Sequence, residues 1–262
     1  MPRNLRIDAV DHVPRAIIAI GTQYPDGHVI EPHEHRRGQL ISGATGAIVL
    51  ATPDGTWVVP QQCGVWIPPS TEHHVRMVGN VGMQSLYIEP GAVPDMPAHC
   101  QVVGISPFVR GLLREAIELP PEYEEGGRAD ALMKLILYEM PRLPALPLSL
   151  HYPAHGPLAD CCRDFIRRPS IHATIDDWSR ALAMSRRSFT RLFRRETGLS
   201  FAAWRQQACL LSAMPRLAAG EPVTAVALDL GYENPAAFTT MFKRAFGSPP
   251  LAYLGIRRSV SR

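Results

Sequence analysis

Two histidines one residue apart, followed by a glutamine, form the first candidate site in the sequence. They lie in the stretch PHEHRRGQL, residues 32–40, as His33, His35 and Gln39. Alternate side chains of an extended strand share a face, so we expect both imidazoles and the amide to point the same way. Nitrogen and oxygen donors that converge in this way could bind a metal ion.

Short β-rich runs surround this stretch, from residue 15 to about residue 105. Each run is four to nine residues long, is rich in Val and Ile, and is separated from the next by Gly, Pro, Asn or Asp. The runs are AIIAIGTQY, QLISGAT, GAIVLAT, TWVVP, GVWIP, HHVRMVG, MQSLYIE and HCQVVGI. Closely spaced short strands predict a sandwich or barrel over residues 12–105.

The spacing of apolar residues changes to that of helices after residue 105. In SPFVRGLLREAIEL (106–119) and ADALMKLILYEM (129–140), apolar residues recur every three or four positions. This pattern predicts a helical hairpin over residues 106–140, which is a candidate dimerisation element. Its apolar stripe could form a dimer interface, or it could pack against the barrel of the same chain.

A proline-rich segment follows the hairpin. Residues 141–157, PRLPALPLSLHYPAHGP, contain five prolines and cannot form a continuous helix or a central strand. We therefore predict an interdomain linker over residues 141–155. A second, helical domain is predicted over residues 156–256.

The helical part of the chain contains an internal repeat. The segment SFTRLFRRETGLSFAAW (188–204) aligns with AFTTMFKRAFGSPPLAY (237–253) at a constant offset of 49 residues. The alignment pairs Phe189 with Phe238, Thr190 with Thr239, Phe193 with Phe242, Arg195 with Arg244, Gly198 with Gly247 and Trp204 with Tyr253. Two copies of one unit imply two copies of one function.

The first copy is typical of a helix-turn-helix whose second helix is RRSFTRLFRRET. Ser185 is suited to cap the start of that helix, and Gly198 is suited to end it. Opposite an apolar face, its outer face carries Arg187, Thr190, Arg191 and Arg194. Such a face suits the major groove of DNA, where Arg can make two hydrogen bonds to guanine. A helical bundle with exposed arginines is the alternative interpretation.

The second copy has a less charged outer face. Asn234 is its predicted N-cap, and Pro235 is suited to the first helical position. The outer face would consist of Ala236, Thr239, Thr240 and Lys243. We expect methyl, hydroxyl and phosphate contacts from it, so the first copy should dominate specificity. Residues 200–219 predict a connecting helix roughly 30 Å long, close to the ~34 Å of one DNA turn, so one chain could reach two successive grooves.

The charge of the chain is divided unevenly between its two parts. Residues 1–160 hold 11 Lys and Arg against 17 Asp and Glu, whereas residues 161–262 hold 16 against 7. A basic second part favours a polyanionic partner such as nucleic acid, although a solvated basic face is an alternative. The N-terminus has no apolar signal segment, no run is long enough to span a membrane, and the five cysteines are scattered. We therefore expect a reduced, cytoplasmic protein.

The helical part resembles the DNA-binding domain of AraC/XylS-type bacterial transcription regulators. The resemblance covers residues 170–255 and includes the second-unit signature GYENPAAFTTMFKRAFGSPPLAYL. It implies that the base-reading residues are Arg187, Thr190 and Arg191 in the first unit and Ala236, Ala237 and Thr240 in the second. The second unit departs from the Gln, Ser or Arg that are frequent in the family. The candidate DNA-binding residues are Arg186, Arg187, Thr190, Arg191, Arg194, Asn234, Ala236, Ala237, Thr239, Thr240 and Lys243.

The N-terminal part is similar to a cupin, the small β-barrel that often serves as sensor in such regulators. GHVIEPHEHRRGQLISGATG matches the first cupin motif, and GVWIPPSTEHHV matches the second and adds His73 to the candidate site. Gln39 stands where metal-binding cupins typically have Glu. His33, His35, Gln39 and His73 could hold a divalent ion such as Zn, Ni or Fe, or they could line a metal-free effector pocket.

The sequence therefore predicts an α+β protein of two domains: a cupin-like β-barrel with a helical hairpin, then an all-α double helix-turn-helix. We expect a transcription regulator without a catalytic site that binds double-stranded DNA under the control of a small-molecule or metal effector. A homodimer that also contacts RNA polymerase is expected. The alternative is a metal-dependent cupin enzyme with an appended helical domain.

Overall fold

A computed structural model describes residues 7–61, 63–146 and 148–253. The chain divides into two compact units. The first comprises the residues up to 52 together with 57–148, and the second comprises 53–56 together with the residues from 149 onward. The end of the predicted helical domain, residues 254–256, lies outside the described residues.

The first unit consists mainly of short strands, as the Val- and Ile-rich runs predict. They are β1 (Ile17–Tyr24), β2 (Val29–His33), β3 (Gly38–Gly43), β4 (Ala47–Thr52), β5 (Gly55–Val59), β6 (Cys63–Ile67), β7 (His73–Val78), β8 (Val81–Ile88) and β9 (Gln101–Gly104). One sheet has the order β1-β8-β3-β6-β9, and β5-β4-β7-β2 are neighbours in the other. The pairs β1–β8, β3–β8 and β2–β7 are antiparallel.

Two helices follow the strands, α1 (Pro107–Ala116) and α2 (Arg128–Glu139). Leu113, Ala116 and Ile136 belong to the predicted apolar stripe, and each is at most 1% exposed. These side chains join one core cluster with residues of the first sheet, including Leu40 and Leu86. Much of the stripe therefore packs against its own unit, which is the second of the two alternatives stated above.

The first sheet is covered on both faces. Ile17 and Ala19 of β1 lie in the cluster with the two helices. The alternate residues Ile18 and Ile20 lie in a second cluster with Tyr87. That cluster is completed by apolar residues of a short N-terminal segment, which are Ile7, Val10 and Val13. Burial on both faces explains why β1 is apolar without strict alternation.

The second unit is helical apart from β10 (Ser149–His151), whose neighbour Tyr152 donates its backbone N–H to the carbonyl of Asp54 over 2.7 Å. Its helices are α3 (Gly156–Arg167), α4 (Ile175–Ala181), α5 (Arg186–Thr197), α6 (Phe201–Ala218), α7 (Val223–Asp229), α8 (Pro235–Phe246) and α9 (Pro250–Tyr253). The predicted α+β class, a β-rich unit followed by a mainly helical unit, is confirmed. No helix within the described ranges is long and apolar enough to cross a membrane.

The two repeats form two helix-turn-helix units, α4–α5 and α7–α8. Ser185 accepts a hydrogen bond from the Ser188 amide at the start of α5, and Asn234 does the same for α8. Both helices end at a left-handed glycine, with φ of 72° at Gly198 and 80° at Gly247. Glycine adopts this conformation without a steric penalty, which is why it ends both helices.

Candidate effector site and candidate nucleic-acid interface

Three histidines meet inside the first unit. His33 is the last residue of β2, His73 is the first residue of β7, and the two are paired in the antiparallel register. The centroids of their rings are 4.3 Å apart, and the ring of His35 lies 5.2 Å from that of His73. One ring nitrogen from each histidine lies within 4.8 Å of the others.

The route by which His35 reaches the cluster differs from the sequence prediction. Residues 34–37 are a loop, so His33, His35 and Gln39 do not share one strand, and that prediction was wrong. β2 and β3 belong to different sheets, so the chain must turn between them. Gly38 begins β3 so close to Trp66 that a Cβ there would lie 2.2 Å from the indole ring.

The backbone selects the tautomer of the three rings. Each Nδ1 lies within hydrogen-bond distance of a carbonyl two residues away, at 2.9 Å for His33, 2.7 Å for His35 and 2.7 Å for His73. A carbonyl oxygen only accepts, so each Nδ1 carries the proton and each neutral ring keeps a lone pair on Nε2. This is the arrangement found when histidines bind metals through Nε2.

His73 is the most deeply placed of the three, with 1% exposure. Burial lowers the pKa of its imidazole to about 4, so the ring is neutral at neutral pH. Its Nε2 is buried and has no hydrogen-bond partner among the described residues. A buried lone pair without a partner is unfavourable, and a bound cation or donor would satisfy it.

Gln39 lies on β3 beside this cluster and is 2% exposed. Its Oε1 is 3.1 Å from His35 Nε2, and its Nε2 donates to Ser85 Oγ over 3.2 Å. In the tautomer set by the backbone, His35 Nε2 and Gln39 Oε1 both accept. The contact is satisfied either by an amide turned so that its N–H donates to His35, or by a cation that both atoms face.

A cavity of about 710 Å³ extends from His33, His73 and Gln39 between the strands of the first unit. Its apolar wall includes Ile20, Ile30, Ile41, Val75 and Met83, and its polar wall includes Thr22, Ser85 and Tyr87. Burial raises the pKa of Tyr87, so its hydroxyl remains protonated. The volume lies within the usual range for small-molecule sites.

Arg36 and Arg37 follow His35 directly, and sequence analysis gave neither a role. Arg36 is half-exposed, whereas Arg37 is 1% exposed and donates to Asp11, Val13 and Arg15. An arginine is almost never fully buried unless it is paired. The sequence around PHEHRRGQL contains no feature that would distinguish the two arginines.

The predicted DNA-contacting face is intact on α5. Phe189, Leu192 and Phe193 are buried on its inner side. The predicted outer residues Arg187, Thr190, Arg191 and Arg194 are all exposed. The hydroxyl of Thr190 donates to the carbonyl of Arg186 over 2.8 Å.

The arginines of α5 differ in their ion pairs. Arg186 pairs with Asp176 of α4 over 3.2 Å, so part of its charge is neutralised. Within the described parts of the chain, Arg187, Arg191 and Arg194 form no ion pair. These three guanidinium groups are therefore available to a polyanion.

The predicted residues of α8 do not all face outward. Ala236, Ala237, Thr240 and Lys243 are exposed, whereas Thr239 is half-buried. The side-chain oxygen of Asn234 accepts from the Ala237 amide over 2.8 Å, so this residue caps the helix. The outer face of α8 thus presents one cation and small side chains, where the outer face of α5 presents three arginines.

Comparisons with known proteins agree with this division. The family described as AraC-like ligand binding domain matches residues 16–141, and the family described as helix-turn-helix domain matches residues 178–255. The HTH-type transcriptional regulator NimR of Escherichia coli is 35% identical over 229 residues, which cover 87% of this chain and 84% of that protein. The arabinose operon regulatory protein of Salmonella typhimurium is 26% identical over 133 residues, 47% of this chain and 46% of that protein.

Among solved structures, ToxT from Vibrio cholerae aligns with 94% of this chain and 97% of its own, at 10% identity and a TM-score of 0.39.

Proposed function

This chain belongs to the AraC-type family of transcription regulators, and from that premise we propose how its two units divide the work. The regulator has an N-terminal ligand-binding domain and a helix-turn-helix DNA-binding domain. The observation that carries the DNA-binding assignment is the outer face of α5, where Arg187, Arg191 and Arg194 are exposed and form no ion pair in the described chain. In such a regulator the histidine cluster would serve as the sensor. The protein would work in the cytoplasm.

The α5 face would enter the major groove and read bases. Arg187 and Arg191 are one turn apart on the helix, so both can reach the floor of the same groove. Arg186 and Arg194 would hold the flanking phosphates, with Thr190 between them. Buried Phe189 and Phe193 fix the orientation of the helix, because their rings pack against Trp178 of α4 at 6.4 and 6.2 Å.

The second helix-turn-helix, α7–α8, would lie in the next groove and contribute less to specificity. α6 connects the two helix-turn-helix units. It has 18 residues, which corresponds to a length of about 27 Å, close to one turn of DNA. Ala236, Ala237 and Thr240 can contact thymine methyl groups and base edges, and Lys243 can contact a phosphate. The cap residue Asn234 and half-buried Thr239 would support this helix at the groove.

Gel-shift titration of the full chain with DNA from upstream of its own gene and the neighbouring genes tests the DNA assignment. We expect binding to one segment at least about 1000-fold tighter than to unrelated DNA of equal length. Equal affinity for all fragments, beside turnover of a small molecule, would support the enzyme alternative instead.

The effector site would be the histidine cluster and its cavity. We propose that His33, His35 and His73 hold one divalent metal ion, such as Zn, Ni or Fe, through Nε2, with Gln39 as a neutral neighbour. Three observations support this fit: the tautomer set by the three carbonyls, the unpartnered Nε2 of His73 and the proximity of the three rings. A bound ion would supply a Lewis-acidic centre for the donor atom of an effector in the cavity.

Metal analysis and thermal shift on the full chain test the effector site. With Zn²⁺, Ni²⁺ or Co²⁺ in about tenfold excess over its dissociation constant, we expect stabilisation of roughly 1.4 kcal/mol, because the ion binds the folded state. His73→Ala should abolish the shift, whereas His74→Ala, its exposed neighbour on β7, should keep it. A wild-type protein that takes up no metal and shows no shift contradicts the metal assignment.

A second copy of the chain would be the protein partner of the hairpin. Phe108 of α1 and Leu135 and Tyr138 of α2 remain 55%, 38% and 69% exposed, although much of the stripe is buried. Leu135 and Tyr138 are three residues apart and share a face of α2. We propose that they form a homodimer contact, and that the DNA-bound dimer contacts RNA polymerase.

Sedimentation of the full chain tests the dimer. We expect a dimer for the wild type and at least about tenfold weaker association for Tyr138→Glu, because a charge would be buried at the contact. Glu139→Lys is the matched control on the same helix. A monomer at all concentrations, or no effect of Tyr138→Glu, contradicts the assignment.

A further inference from the structure

Arg37 is a buried cation to which the proposed function gives no role. Its guanidinium donates to Asp11 Oδ1 at 3.0 Å and to the carbonyls of Val13 and Arg15 at 2.9 and 2.8 Å. It also pairs with Glu89 at 2.9 Å. Burial of a guanidinium is unfavourable unless its donors are satisfied, so these bonds hold the N-terminal segment 11–15 tightly against the barrel.

One histidine of the cluster is tied to this arginine. His35 Nδ1 donates to the carbonyl oxygen of Arg37 over 2.7 Å. Its ring also lies edge-on to Tyr87 with 5.2 Å between centroids, and Tyr87 packs with Val10 and Val13 of the N-terminal segment. The Nδ1 atoms of His33 and His73 bond the carbonyls of Glu31 and Thr71 instead.

Arg15 continues the connection to the hairpin. Its Nε donates to the carbonyl of Tyr123 over 2.8 Å, and its Nη1 lies 3.0 Å from a carboxylate oxygen of Glu125. The guanidinium also lies 5.3 Å from the centroid of the Tyr123 ring. Tyr123 is 3% exposed and belongs to the segment between α1 and α2, four residues before the N-cap of α2 at Gly127.

These contacts form a continuous chain with a repeated construction. Arg37 accepts from His35 at its carbonyl and donates from its guanidinium to the carbonyl of Arg15. Arg15 in turn donates from its guanidinium to the carbonyl of Tyr123. We propose that Arg37 and Arg15 form a relay that transmits a change in the position of the His35 ring to the α1–α2 hairpin. This inference rests on the proposed function for the statement that His35 reports an effector.

The relay gives the effector site a route to the proposed dimer surface. A shift of the His35 ring changes its bond to the Arg37 carbonyl, and the Arg37 guanidinium is held too tightly to move independently of segment 11–15. Contiguous hydrogen bonds, here among buried and half-buried groups, are one physical route by which two sites can couple. Arg36 shares Asp11 and Glu89 with Arg37, but among the described residues it forms no hydrogen bond with the Arg15 carbonyl, which places it outside the relay.

Hydrogen exchange of the full chain tests the relay without requiring an effector. His35→Ala removes the donor to Arg37, so we expect the amides of residues 11–15 and 120–127, other than the prolines at 14, 120 and 121, to exchange about fivefold faster than in the wild type. His33→Ala is the matched control: it removes another cluster histidine but no relay bond, and it should leave residues 120–127 unchanged. His35→Asn should also leave residues 120–127 unchanged. The side-chain NH2 of Asn can donate in place of the His Nδ1–H, while the Nε2 lone pair of the imidazole is lost.

Arg15→Gln tests the second half of the relay, with Arg36→Gln as its control. In the double variant His35→Ala/Arg15→Gln, exchange of residues 120–127 should be no faster than in Arg15→Gln alone, since both changes cut one connection. His35→Ala combined with Arg36→Gln should show the two effects added. Circular dichroism verifies that each variant is folded.

The outcomes separate the relay from the metal assignment. Faster exchange confined to residues 34–38 in His35→Ala, or the same response in His33→Ala, overturns the relay. Propagation to residues 120–127 in His35→Ala, together with wild-type protein that binds no Co²⁺, supports the relay and contradicts the metal site. Co²⁺ binding without propagation supports the metal site and contradicts the relay.

Discussion

The two helix-turn-helix units have an equivalent aromatic pair in their interiors and different exteriors. The rings of Phe193 and Trp204 are 5.7 Å apart in the first unit. At the repeat-equivalent positions of the second unit, Phe242 and Tyr253 are 5.8 Å apart. Outward, however, the first unit presents three arginines and the second presents alanines, Thr240 and Lys243.

This difference shows that the scaffold and the reading face of a duplicated unit can change independently. Core residues are constrained by close packing, in which a change of even one methylene is felt. Exposed helix residues make few contacts within the chain, so they can differ without cost to folding. The second helix-turn-helix can therefore keep its geometry although its outer face lacks the arginines of the first.

The largest expected effect concerns the shared interior. Phe193→Ala and Phe242→Ala should each destabilise the helical unit that begins at residue 149 by about 3–5 kcal/mol, because both side chains are at most 1% exposed and each change leaves a cavity. Urea unfolding of the full chain, followed by circular dichroism at the helix signal, measures both losses. A large loss for one variant beside less than about 1 kcal/mol for the other would show that the two cores are not equivalent.

The next effect concerns the exterior of the first unit. Arg191→Ala should weaken binding to the specific DNA segment by about 1–3 kcal/mol and relax the preference for one base pair. Arg167→Ala on α3 is the control, since it also removes one exposed positive charge but lies outside the predicted face. Unchanged specific affinity for Arg191→Ala, measured by fluorescence anisotropy, would mean that another face reads the DNA.

The caps should again behave alike in the two units. Ser185→Ala and Asn234→Ala each remove the acceptor for an amide of the first helical turn, so each should cost about 1 kcal/mol of stability. Thermal unfolding of the two variants measures these losses. If only Asn234→Ala lowers DNA affinity beyond its effect on folding, Asn234 also contacts DNA, as the sequence analysis predicted.

The smallest expected effect concerns the exterior of the second unit. Lys243→Ala should weaken binding to all DNA sequences by a similar factor and reduce the slope of log affinity against log salt by about 1. Titrations at several salt concentrations with specific and unrelated DNA measure this slope. A loss restricted to one sequence would indicate base readout by the second unit and remove the proposed asymmetry.

Much of the fold could be predicted because its signals are local. Helix α5 begins after Ser185 and ends before Gly198, as predicted, since caps and glycines act within a few residues. The family resemblance and the α+β class could also be predicted, because the repeat and its spacing are visible in the sequence, and both predictions are confirmed. The DNA-contacting residues stay a prediction, since they depend on a partner that the chain does not contain.

The effector site could be predicted only in part. The resemblance placed His33, His35, Gln39 and His73 in one site, and the structure brings them together. The sequence argument for a single strand failed because β2 and β3 belong to different sheets. A period of two residues indicates which side chains share a face, but it does not show where the chain leaves one sheet for the other.

The sequence by itself determined the helix and strand types, the duplicated unit, its caps and the family, because these depend on neighbours in the chain. Only the tertiary structure decided that His33 and His73 face each other across two strands and that His35 joins them from a loop. It alone distinguished buried Arg37 from exposed Arg36, since Arg37 also donates to the carbonyls of Val13 and Arg15, which are 24 and 22 residues away from it in the chain. Contacts between residues so distant in sequence are set by the packing of the whole unit, and no local pattern records them.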